Sequence, residues 1–89
     1  MRIEQIEIYS DATNAAVMRH PGRRFPGLLL QGDTLNNLHA IADRLSAETS
    51  NLLDEDARAD LHELRDALRD FRDHYARVLR EHSLPLPFR

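Results

Sequence analysis

Arg19, His20, Arg23 and Arg24 put three guanidiniums and an imidazole within six residues, with Phe25 directly beside them. Arginine's planar fork matches carboxylates and phosphates bidentately, so this window reads as a grip for anions, with Phe25 adding an aromatic contact at its rim. The competing reading is internal pairing with acidic residues of the long C-terminal helix, such as Asp66, Asp70 or Asp73. Pro21 and Pro26 stiffen the window, and Gly22 and Gly27 follow them, so these side chains are offered from a loop. Elsewhere the balance is acidic: from Asp33 to Glu81 there are 12 carboxylates against 7 arginines. The net charge of −3 argues against general nucleic-acid binding.

Other chemistry finds little support. With no cysteine, disulfides, thiolate zinc sites and cysteine nucleophiles are excluded. His39 with Asp43 and Asp70 with His74 stand four apart and read as helix-face pairs, too few ligands for a metal. The serines lack the GxSxG context of a nucleophile elbow, and Gly22, Gly27 and Gly32 fit neither phosphate-binding fingerprint. The many carboxylates fall on solvated helix faces, without the apolar surroundings that tune a general acid or base. No cofactor is implied, and the expectation is a protein that is not an enzyme.

These side chains must be positioned by a small framework. A chain of 89 residues, 42% hydrophobic, allows one folded domain spanning 1–89. Residues 3–9 read as a strand from their Ile and Tyr content, and the polar cluster 10–14 as a turn. Further strands are expected at about 15–19 and 28–31, the last apolar enough to be covered on both faces. Links this short require antiparallel pairing. Asp33 is the expected N-cap of a helix over about 34–49, with Leu35, Leu38, Ile41, Ala42 and Leu45 as its apolar stripe. The fold class is therefore α+β: a three-stranded antiparallel sheet followed by a helical hairpin.

The second helix is expected over about 54–82. Ala57, Leu61, Leu64, Leu68, Phe71, Tyr75, Val78 and His82 repeat at alternating spacings of four and three, a heptad seam. His82 at the helix end suits a capping role. A rod of about 29 residues would be ~43 Å long, whereas the first helix covers only ~24 Å of it. The remainder calls for the Leu84–Phe88 tail, a second copy or another protein. Asp66, Leu68, Asp70, Phe71, Asp73 and Tyr75 mark the expected partner or dimer surface. No stretch is apolar enough for a secretion signal or a membrane span, which sets a cytoplasmic expectation without membrane contact.

The stretch from Ile8 to Gly27, with its Arg19-His20-Pro21-Gly22-Arg23-Arg24-Phe25-Pro26-Gly27 core, continues through Leu30-Gln31-Gly32-Asp33-Thr34-Leu35. With the closing His82-Ser83-Leu84-Pro85-Leu86-Pro87-Phe88, it resembles a family of short bacterial proteins of unknown function. The resemblance spans nearly the whole chain and implies no activity and no catalytic residue. The leading expectation is a non-catalytic protein-binding module, of the immunity or antitoxin type that inhibits a bacterial toxin. The alternatives are a small regulator binding a phosphate-bearing ligand or nucleic acid through residues 19–24, and a homodimeric structural protein.

Overall fold

The computed structural model describes residues 1–89 and has the expected α+β order. Strands β1 (Glu7–Ser10), β2 (Ala16–Arg19) and β3 (Gly27–Leu29) form one antiparallel sheet in the order β1-β2-β3. Helices α1 (Gly32–Thr49) and α2 (Glu55–Glu81) follow, joined through a 3₁₀ turn at Ser50–Leu52. The chain parts into two compact units, residues 1–31 and residues 32–89.

In the sheet unit every strand is shorter than its hydrophobic pattern suggested, because pairing, not propensity, sets its ends. β2 supplies the central ladder, with Glu7 opposite Arg19 and Ile8 opposite Met18. After Arg19 comes His20-Pro21, and proline has no N–H to donate, so Ile3 to Ile6 find no partner strand. β1 thus starts at Glu7, not near residue 3. Ser10 pairs with Val17 directly after the Ile8–Met18 pair, so β1 is irregular at Tyr9. On the other edge Met18 pairs with Gly27 and Ala16 with Leu29, where β2 ends. Leu30 and Gln31 therefore fall outside β3.

Directly opposed residues share a face. Ile8, Met18, Ala16 and Leu29 line one side of the sheet, and Glu7, Arg19, Val17 and Leu28 the other. The expectation that the third strand is covered on both faces fails: Leu28 is 60% exposed, and Leu29 and Leu30 are exposed too.

In the helical unit α1 begins at Gly32, ahead of the expected start, so Asp33 lies in the first turn and is not the N-cap. Its carboxylate accepts from the Thr34 amide at 2.9 Å and favours the positive helix end. Asp54 does cap α2, accepting from the Ala57 amide at 2.8 Å. Ser83 closes α2 in the left-handed region at φ 55°, with its amide and that of Leu84 bonded back to Arg80 and Leu79. His82 donates from Nδ1 to the Val78 carbonyl at 2.9 Å, the capping role its position suggested. The tail then returns along the helix, and Phe88 stacks on Tyr75 with centroids 6.2 Å apart. The ring of Tyr75 occupies the space a side chain at residue 32 would need, so any larger residue there would displace the ring.

Candidate functional site

The arginine-rich loop is built on one tight turn. The Arg23 amide donates to the His20 carbonyl at 3.0 Å, with Pro21 and Gly22 between them and Gly22 at φ 84°. This is the type II pattern: proline presets the first central residue, and glycine accepts the positive φ of the second. The imidazole Nδ1 of His20 donates to the Pro21 carbonyl at 2.7 Å, which fixes the ring beside the turn.

The three arginines of this window are not equivalent. Arg19, on β2, grips Glu7 through Nε at 2.7 Å and Nη2 at 2.5 Å, and its Nη1 donates to the Arg23 carbonyl at 3.1 Å. The Glu7 carboxylate also accepts from the Tyr9 hydroxyl at 2.7 Å. Hydrogen bonds from Arg19 and then Tyr9 hold the Glu7 carboxyl at about 2, well below its ordinary 4.5. The same contacts raise the Tyr9 phenol, chiefly through Glu7, and raise Arg19. Arg19 is thus a strand tie, already occupied by a carboxylate. Arg24 lies over the Phe25 ring at 5.3 Å. The guanidinium of Arg23 has no hydrogen-bond or ion-pair partner in the chain.

Beside this loop the sheet unit carries a groove of about 620 Å³. Ile6, Met18, Phe25, Leu28 and Leu29 give it apolar walls, Arg23 and Arg24 add the cations, and His20 adds an imidazole. Phe25 is 72% exposed. Hydrophobic periodicity could not find this groove, because Ile6 and Phe25 lie outside the strands.

The hairpin was expected to close along its leucines, but it closes elsewhere. The buried residues of α1 are Gly32, Leu35, His39, Ala42 and Ser46, a heptad row that is mostly small or polar. Leu38 and Leu45, assigned to the stripe by hydropathy, are exposed. Against that row α2 sets arginines seven residues apart. Arg58 donates to the carbonyls of Ser50 and Leu53, at 2.9 and 3.1 Å. Arg65 donates to the Ser46 hydroxyl at 3.0 Å, and Arg72 to His39 Nδ1 at 3.1 Å. His62 Nε2 meets the Ser50 hydroxyl at 3.3 Å.

Because arginine only donates, His39 must accept at Nδ1 and carry its proton on Nε2. That Nε2 is buried without a partner, in a residue only 8% exposed. The expected His39–Asp43 pair is therefore replaced by His39–Arg72, and His74 accepts from Arg77 at 2.9 Å instead of pairing with Asp70.

The apolar row of α2 lies one residue out of phase with this seam. Leu64 and Phe71 precede Arg65 and Arg72 and are 55% and 63% exposed. Leu38 and Leu45 likewise precede His39 and Ser46. One residue is roughly 100° of helix rotation, and antiparallel helices turn in opposite senses viewed from one end, so both offsets fall on the same side of the hairpin. The opposite side carries Asp43, Asp66 and Asp73. Asp66 pairs with Arg65 at 2.9 Å and Arg69 at 2.8 Å, and Arg65 foremost holds its carboxyl below the usual range. Asp73 pairs with Arg72 at 3.1 Å.

The expected partner surface is thus divided. Phe71 stands on the apolar side, Asp66 and Asp73 on the acidic side, and Asp70 is exposed near the latter. Leu68 is half-buried at the edge of the seam, while Tyr75 packs on Gly32 and Phe88. The length argument changes accordingly. α1 and the returning tail accompany α2 along one side, so exposure follows from rotation, not from an overhanging end. No group of three metal-ligating side chains comes together, and no helix is long and apolar enough to cross a membrane.

Compared with known proteins, residues 1–88 match the model of one family, DUF6959, described as a family of unknown function. No curated protein and no solved structure matches the chain.

Proposed function

The chain belongs to DUF6959, a family of unknown function, and we propose that it is a non-catalytic protein-binding module that seats an acidic, partly apolar segment of a partner protein in the groove of its sheet unit. The observation that carries this reading is the pairing of apolar walls with cations not tied up in ion pairs. Met18, Phe25, Leu28 and Leu29 offer contact area, while Arg23 and Arg24 stand beside them. An exposed aromatic flanked by arginines is the composition of an interface anchor. The finer reading is an immunity-type inhibitor acting in the bacterial cytoplasm on a toxin encoded by the adjacent gene. What supports it is the small size and acidic balance of the chain.

The runner-up, a phosphate or nucleic-acid grip through residues 19–24, loses Arg19, which Glu7 already occupies. Co-expression with the product of the adjacent gene, followed by titration calorimetry, tests the proposal. A complex that survives moderate salt and weakens at least ~30-fold with Phe25→Asp supports it, since an anchor residue is worth about 2 kcal/mol or more. Absence of a complex at micromolar concentrations counts against it. Binding that collapses with salt and depends only on Arg23 and Arg24 would favour the phosphate reading.

A further inference from the structure

The hairpin raises a separate question, independent of the groove. Its helices meet across arginine, histidine and serine, and they leave Leu38, Leu45, Leu64 and Phe71 exposed together on one side. Side chains of this kind gain most from leaving water, yet the seam that buries the helices against each other does not use them.

We propose that this apolar side is the interface of an isologous dimer, in which two hairpins pack face to face as an antiparallel four-helix arrangement. Three observations select a second copy as the occupant. First, the strip is neutral through its middle: Leu38 and Leu45 on α1 and Leu64, Ala67 and Phe71 on α2 carry no charge, and Asp60 stands one turn before Leu64 at its end. Near the two-fold axis each group meets its own copy, where like charges would repel, and the middle of this strip is neutral. The carboxylates Asp43, Asp66 and Asp73 lie on the other side, which leaves a basic partner little beyond Asp60 to pair with here.

Second, the α2 row is self-complementary. Its outer stretch Leu64, Ala67, Phe71 and His74 is spaced three, four, three and reads the same in both directions. An antiparallel copy centred between Ala67 and Phe71 therefore sets Ala67 of each chain opposite Phe71 of the other, so that each aromatic knob meets a small residue. Third, the area is adequate. Helices of 18 and 27 residues, side by side and each ~10 Å wide, present a face on the order of 700 Å², close to the ~800 Å² per partner of a standard stable interface.

Sedimentation equilibrium of the full chain, from low to high micromolar concentration, tests this against Leu64→Glu, Phe71→Glu and Leu38→Glu variants. Since these side chains are exposed in the single chain, far-ultraviolet circular dichroism should show each variant keeping its helices. The expected result is a concentration-dependent doubling of mass in the parent chain, weakened at least ~100-fold in Phe71→Glu, as for a central interface residue. Leu64→Glu should weaken it similarly and Leu38→Glu less, because α1 contributes the shorter strip. A monomer at every concentration overturns the proposal. So does a dimer that Phe71→Glu leaves intact, or one that dissociates on Phe25→Asp, which would place the contact in the sheet unit.

Discussion

Along α2 two rows run side by side. Arg58, Arg65 and Arg72 face α1, while Leu64 and Phe71, one position earlier, lie on the open side of the hairpin. The arginine row is partly buried because its stems pack along α1 while its guanidiniums reach Ser46, Ser50 and His39. α1 suits this by offering Gly32, Ala42 and Ser46, residues small enough for a close approach. The leucine row would bury more apolar area, but in the chain as it stands it is left for another surface. Mean hydropathy along a row therefore does not decide which row is the seam. What decides is whether the facing helix supplies acceptors for the buried donors.

The sharpest way to break this comparison is to truncate one leucine of the seam and one of the open side. Leu35→Ala removes the largest buried apolar side chain of the seam and should cost about 2–3 kcal/mol in urea unfolding. Leu64→Ala, measured while the chain is dilute, should stay within about 0.5 kcal/mol, as exposed substitutions do. Comparable losses at the two sites would mean that the leucine side is buried in the single chain.

A smaller effect, of opposite sign, comes from the polarity of the seam itself. The proton on His39 Nε2 is buried without an acceptor, which costs about 1–3 kcal/mol. His39→Leu removes that donor, and Arg72 keeps its bond to Asp73. The variant should gain about 1 kcal/mol and unfold at a higher urea midpoint. A loss instead would mean that the His39–Arg72 bond outweighs the orphaned proton.

The smallest effect lies in the sheet unit, where Glu7 and Arg19 form the counterpart of the arginine ties but in solvent. Exposed pairs of this kind stabilise little. The observable is titration: the Glu7 carboxyl, followed by NMR, should have its midpoint near 2, moving toward 4.5 in Arg19→Ala. Because the folded value is depressed, the tie between β1 and β2 is complete above pH 4.5 and is lost as pH falls through about 2. An unshifted midpoint in the parent chain would mean that the Arg19–Glu7 bonds are not held in solution.

Much of this architecture was legible from residue types. The alternating heptad predicts α2, Asp54 and the acidic first turn mark its start, and Ser83-Leu84-Pro85 marks its end, all within a residue or two of what forms. The Pro21-Gly22 pair announces the turn that displays Arg23 and Arg24. The rotation of the hairpin was not legible, because two adjacent rows of α2 have heptad spacing and hydropathy favours the wrong one. The row Gly32, Leu35, His39, Ala42 and Ser46 carried the missing signal, since small and polar residues at that spacing suit an arginine-bearing neighbour. By sequence Arg19 belongs with the loop cations, because its partner, Glu7, is brought opposite only by the register of β1 and β2. The strand ends depended on the same pairing, which no local pattern reports.

The bonds from Arg58, Arg65 and Arg72, together with the Tyr75 ring seated against Gly32, have a mechanical consequence for α2. A cylinder in a hairpin is free to spin about its own axis unless something keys it, and a leucine strip only one residue away offers a competing orientation. These four attachments, spaced from the first turn of the helix to its last third, act as keys against that rotation. They hold the greasy strip outward against its own tendency to turn inward, so the polar seam determines which side of the hairpin other molecules meet.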